Sequence, residues 1–131
     1  IKGANGIVYW GSHTMPQPSD AWSGITRVTR EIADLAPVLS QRNAGFAPTV
    51  EYHEIGHSVD EGVQWLVKEH EGSLYVFTCN AYRYTCRATL GGFEGWKTCA
   101  VLNEDRVVDI REGGITDDWQ PFDVHLYRFD K

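Results

Sequence analysis

Three side chains within five residues, His53, Glu54 and His57, could do hydrolytic chemistry if the backbone between them were helical. Two imidazoles at i and i+4 then share one helix face and can chelate zinc, while the carboxylate between them acts as general base toward a metal-bound water. The chemistry is therefore conditional on secondary structure, and the elements around the motif decide it.

The surrounding stretch, PTVEYHEIGHSV at 48–59, opens on a Pro, carries Gly56 inside it and runs on into VQWLVKEH at 63–70. Val50, Tyr52 and Glu54 alternate against Glu51, His53 and Ile55, a period of two, whereas a helix around the two histidines would need apolar residues at i, i+3 and i+4. The segment is expected to be strand or loop. A third ligand is also missing: metzincins carry a further His six residues after the second, where this chain has Val63, and the downstream helical Glu of gluzincins would fall among predicted strands. A zinc metallopeptidase is thus the disfavoured alternative, and the expectation is no metal and no cofactor.

Composition narrows the partners. The 131 residues are 42% hydrophobic and 23% charged, with 5 Trp, 6 Tyr and 5 Phe, a globular balance that leans towards β structure. Eighteen acidic residues against 12 basic leave a net charge of −6 with no basic block, so neither a nucleic-acid footprint nor a polybasic membrane patch is present. No apolar run approaches the roughly 18 residues of a membrane span. Cys79, Cys86 and Cys99 allow at most one disulfide, show no C-x-x-C spacing and read as buried small hydrophobes. The compartment stays open, with a secreted setting among the expectations.

Along the chain, GIVYWGS at 6–12 reads as a short buried strand, followed by the Pro-containing loop HTMPQPSD. Ser19 or Asp20 offers an N-cap, and Trp22, Ile25, Val28, Ile32, Leu35 and Leu39 recur at helical spacing until Pro37 closes the segment. This is one strand-helix unit, and its apolar faces need neighbours. After SQRNAGFAP the period changes to two. VQWLVKEH and LYVFTCNA flank the turn EGS as a hairpin, and TCRATL, KTCAVL, RVVDIRE and FDVHLYRFD read as further strands separated by GGFEG, NED and EGG. The predicted fold is mainly β: an antiparallel β-sandwich of about six to eight strands (45–131) preceded by one βα unit (1–44).

Three segments in order carry a resemblance. GANGIVYWGSH with the capped helix from Trp22 to Leu39 resembles the last βα unit of a glycoside hydrolase (β/α) barrel. The hairpin VQWLVKEHEGSLYVFTCNA, ending in Asn80, and the closing ITDDWQPFDVHLYRF, similar to a terminal D-x-[FW]-x-P-[FY]-x-VH-x-Y pattern, resemble the accessory β-sandwich appended to such barrels. The resemblance spans nearly the whole chain.

It implies that Trp10, at the end of the last barrel strand, floors a sugar subsite, with Ser12 and His13 as polar neighbours in the following loop. The alternative for Trp10 is a core tryptophan. The catalytic carboxylates of such enzymes lie on earlier barrel strands, so no catalytic residue is expected here, and the opening IKGANGIVYW reads as part of something longer. Asp117, Asp118 and Asp123 are read as turn-fixing, and His125 as a hydrogen-bonded core or interface histidine. The expected partners are carbohydrate and either an upstream barrel or a second copy packing on residues 1–42. A free-standing binding module, stacking sugars on Trp65, Trp96 or Trp119, is the alternative.

Overall fold

The computed structural model describes residues 1, 7–9, 11–53 and 62–131. Helix α1 (Asp20–Asp34) begins where Ser19, in extended backbone, accepts the Trp22 amide on its Oγ at 3.2 Å. Such a cap contributes about 1 kcal/mol. Leu35 breaks the run, and a single further turn, α2 (Ala36–Leu39), starts with Pro37 in its first turn. Pro37 was expected to end the helical segment. It opens a new turn instead, because a first-turn proline gives up an N–H that has no partner in the helix anyway.

The strand expected at 6–12 is not formed in the described part of that stretch. Residues 7–9 have no ladder partner, and Ile7 and Val8 are 61% and 91% exposed. Ser12–Thr14 form a 3-10 turn. A strand exists only where a neighbour takes its N–H and C=O groups, and these residues pair with neither described sheet.

The remainder is the predicted mainly β architecture. Strands β1 (Thr49–Tyr52), β4 (Cys86–Gly91) and β7 (Gly114–Trp119) form an antiparallel sheet in the order β1-β4-β7. Strands β2 (Val63–His70), β3 (Ser73–Asn80), β5 (Thr98–Val101), β6 (Arg106–Val108) and β8 (Val124–Asp130) form a second, in the order β2-β3-β8-β5-β6. The β2–β3 hairpin turns on Glu71 and Gly72, both at positive φ (51° and 81°), the two-residue geometry whose twist matches that of the strands. In the closing segment only FDVHLYRFD was expected as a strand, and the stretch before it is a strand as well. β7 belongs to the smaller sheet and β8 to the larger, with residues 120–123 carrying the chain from one to the other.

Alternation sorts side chains into and out of the space between the sheets. Val63, Val67, Leu74, Val76, Tyr127 and Phe129 of the larger sheet meet Ala88, Leu90, Ile115 and Trp119 of the smaller in one buried cluster. Phe93 stacks on Phe129 with ring centroids 4.0 Å apart. Each large side chain removed from water here contributes about 2–3 kcal/mol. At the outer edge of β2, Ala44 donates its amide to Val67 O at 2.9 Å, and the buried Lys68 donates from Nζ to Gln41 O. The segment after α2 thus covers an edge that would otherwise invite another strand. No helix among the described residues is long and apolar enough to cross a membrane.

Candidate functional site

Ionisable side chains concentrate in two places. The first lies where β6, β7 and β8 meet the turn at 102–105. Arg106 donates from Nη2 to Asp117 Oδ2 at 2.7 Å and from Nε to Glu104 Oε2 at 2.7 Å. Tyr127 donates its hydroxyl to the same Asp117 oxygen at 2.7 Å. His125 shares a short hydrogen bond between Nδ1 and Glu104 Oε1, and its Nε2 lies 3.2 Å from Asp118 O. All of these side chains come from strands or a tight turn, and His125 and Tyr127 are buried.

Their electrostatics decide what this cluster can do. Burial pushes the Asp117 carboxyl up, but donors from Arg106, Tyr127 and the Asp118 amide outweigh it, and the group sits below the usual carboxylate range. Burial and the hydrogen bond to Asp117 both raise the Tyr127 phenol. Burial tends to lower the Arg106 guanidinium, yet its bonds to Asp117 and Glu104 carry it above its ordinary value. Next to them, burial lifts the Cys99 thiol to about 12, with the Asp117 charge adding to the effect. Asp117 as an ionised acid, Tyr127 as a protonated phenol, Arg106 as a fixed cation and Cys99 as an inert thiol do not exchange protons among themselves near neutrality, so these four side chains brace the fold.

Beside this brace runs a groove of about 540 Å³ lined by Arg87, Arg106, Arg111, Asp109, Thr116 and Asp117 among others. Each guanidinium already has a carboxylate: Arg87 pairs with Asp118 at 2.9 Å and Arg111 with Asp109 at 3.0 Å. Among the described residues that line it, the groove therefore holds no guanidinium without a carboxylate partner.

The second concentration surrounds the β2–β3 turn. Gln41, Glu69, His70, Glu71, Trp96 and Lys131 line a hollow of about 340 Å³. Trp96 is half-buried, packs edge-on against Phe129 with centroids 6.4 Å apart, and has the Lys131 ammonium 5.3 Å from its ring centroid. An aromatic face bordered by carboxylates, an imidazole and an amide is chemistry for binding a small polar molecule.

The residues singled out by sequence fall as follows. Trp10 lies outside the described residues. Ser12 belongs to the 3-10 turn, whose Thr14 hydroxyl donates back to Gly11 O at 2.8 Å, and His13 in the same turn is exposed. His53 follows β1 in the strand-side setting expected for it: its amide donates to Arg87 O at 3.0 Å and its Nε2 lies 2.6 Å from Thr89 Oγ1. Glu54 and His57 lie outside the described residues, and among the described residues no group of three potential ligands gathers for a metal.

Trp119, offered as a sugar-stacking residue, is corrected: it is fully buried between the sheets, where no ligand can reach it. Trp65 is 37% exposed. Asp123 fixes a turn as read, accepting the amides of Gln120 and Val124. Asp117 and Asp118 do not. They sit in β7, where one serves the buried brace and the other an exposed ion pair, because alternation sends neighbours to opposite faces. Glu104, Arg106 and Tyr127 were not anticipated, although the alternation of Asp117 with Trp119 and of His125 with Tyr127 carried the signal that all four point to one interior.

Comparison of the chain with protein-family models, with curated proteins and with solved structures returns no match.

Proposed function

We propose that the chain is a non-catalytic, carbohydrate-associated segment of a glycoside hydrolase, with its β-sandwich bracing a (β/α) barrel that precedes it. One observation carries the reading. Helix α1 is fully formed and capped, yet none of its side chains is buried: Trp22, Ile25 and Val28 are half-covered and Ile32 is 40% exposed. Helices of this length draw most of their stability from packing an apolar stripe. A stripe left half-open is a surface made to be covered, and a barrel's outer layer of helices supplies such a cover. The ionised brace around Asp117 and the inert Cys99 agree with a segment that leaves the chemistry to other residues.

The test joins the chain to its upstream coding sequence, expected to encode about 200–300 residues of alternating strands and helices. Alone, the chain should release no reducing sugar from polysaccharides, and the joined protein should. Trp10→Ala in the joined protein should lower activity by about one to two decades, because stacking in a dehydrated subsite contributes about 1–3 kcal/mol when realised in the transition state. If Trp10 is a core residue instead, the variant loses about 3–5 kcal/mol of stability with unchanged activity per folded molecule. An upstream frame without a barrel would overturn the proposal. It would favour the second reading, a free-standing carbohydrate-binding module, for which the hollow beside Trp96 is the specific support.

A further inference from the structure

We infer that the hollow beside Trp96 is a binding subsite for a neutral sugar ring. Four segments distant in sequence build it: the chain after α2 at Gln41, the β2–β3 turn with Glu69, His70 and Glu71, the turn before β5 with Trp96, and Lys131 after β8. Its volume of about 340 Å³ lies at the small end of the range for ligand pockets, about 300–1,000 Å³.

Trp96 is a fixed platform. Its ring abuts the buried Phe129 edge-on and its amide donates to Phe93 O at 3.2 Å, so one end is tied into the core. The Lys131 ammonium, 5.3 Å from the ring centroid, marks a π face that reaches the hollow. Among the described residues, the Trp96 indole N–H has no hydrogen-bond partner. The acceptors around it are also uncommitted. Glu69 has no ion-pair partner among the described residues, Glu71 approaches only His70 at 4.0 Å, and Gln41 uses its amide nitrogen on Pro37 O while its amide oxygen has no described partner.

This inventory selects a ligand class. Sugar hydroxyls donate to carboxylates and amide oxygens, and the apolar C–H face of a pyranose lies on an indole. Two carboxylates repel an anion, and Trp96 is the one large apolar side chain among the lining residues, too little to enclose a hydrocarbon. The Lys131 side chain, exposed and flexible, can leave the ring face for a hydroxyl. The choice of a sugar among neutral polyols rests in part on the carbohydrate association proposed above.

The experiment titrates the 131-residue chain with cellohexaose, maltohexaose, xylohexaose and mannohexaose, following tryptophan indole N–H resonances by NMR and affinity by calorimetry. At least one hexasaccharide should shift the Trp96 resonance, and Trp96→Ala should weaken its binding about tenfold or more. Because Trp96 also touches the core, the exposed pair Glu69→Ala/Glu71→Ala provides a variant that folds, and it should weaken binding about fivefold. The inference is overturned if no hexasaccharide moves the Trp96 resonance, if Trp65 responds in its place, if either folded variant binds as before, or if a hexauronate binds as tightly as the neutral sugars. Each of these outcomes leaves the accessory-segment reading untouched, since activity of the barrel-joined protein decides that separately.

Discussion

Trp119 Nε1 donates to Thr78 Oγ1 at 3.0 Å, joining a strand of the smaller sheet to one of the larger across the interior. Both side chains are fully buried, and the Thr78 hydroxyl in turn donates to His125 O at 3.0 Å. The bond gives the two sheets a directional link in addition to that from Tyr127 to Asp117. Among the described residues, no buried side-chain polar atom lacks a partner.

Thr78→Val keeps the shape of this site and removes the acceptor, leaving the indole N–H unpaired in a dry interior. It should cost about 1–3 kcal/mol. In Trp119→Phe the donor is already gone, so adding Thr78→Val to that variant should cost less than it does alone. Urea denaturation of the four proteins measures the coupling, and additive effects would show that the bond contributes nothing.

Asp117 makes stability depend on acid. Its carboxyl titrates lower in the folded protein than its ordinary value of 3.8, so the folded state releases that proton more readily than the unfolded chain. The resulting stabilisation is fully present above the unfolded value and is lost as pH falls through the folded one. Urea midpoints should therefore fall below about pH 4 in the parent. Asp117→Asn should lose about 2 kcal/mol at pH 7, a value tempered by the one-third exposure of Arg106, and should show a flatter acid limb. A parallel acid limb in the variant would show that other groups control it.

The three cysteines are free thiols. Cys99 is fully buried with its thiol raised to about 12, so it holds almost no thiolate at pH 8. Ellman's reagent should modify it only as fast as the protein unfolds, and urea should abolish that protection. Rapid labelling of Cys99 in the native protein, located by mass spectrometry, would contradict this burial.

After dialysis the protein should hold no stoichiometric zinc, because His53 follows a strand and faces Thr89 across the sheet. One zinc per chain that disappears in His53→Ala or His57→Ala would restore the metallopeptidase reading.

Much of this fold was legible because its signals are local. The alternation in Val63–His70 and Ser73–Asn80, with Glu71-Gly72 between, specifies a hairpin whose pairing depends on residues only a few positions apart. Ser19 and the apolar spacing from Trp22 specify a capped amphipathic helix in the same way, since caps and periodicity are properties of short segments. The split of ITDDWQPFDVHLYRF into strands of different sheets was not legible, because each strand's partner lies far away in sequence: β7 pairs with β4 and β8 with β3 and β5.

The same distance separates the site residues. Trp96 and Trp119 are one residue type in similar β-rich surroundings, yet one borders a hollow with Gln41, Glu71 and Lys131 while the other is sealed between sheets. By itself the sequence determined the hairpin, the capped helix and most of the strands, the alternation along them, and the lack of a basic block or a long apolar run. Which faces meet, and so which tryptophan a ligand can reach, was decided by the tertiary structure alone, because burial depends on contacts between segments that alternation and spacing do not encode.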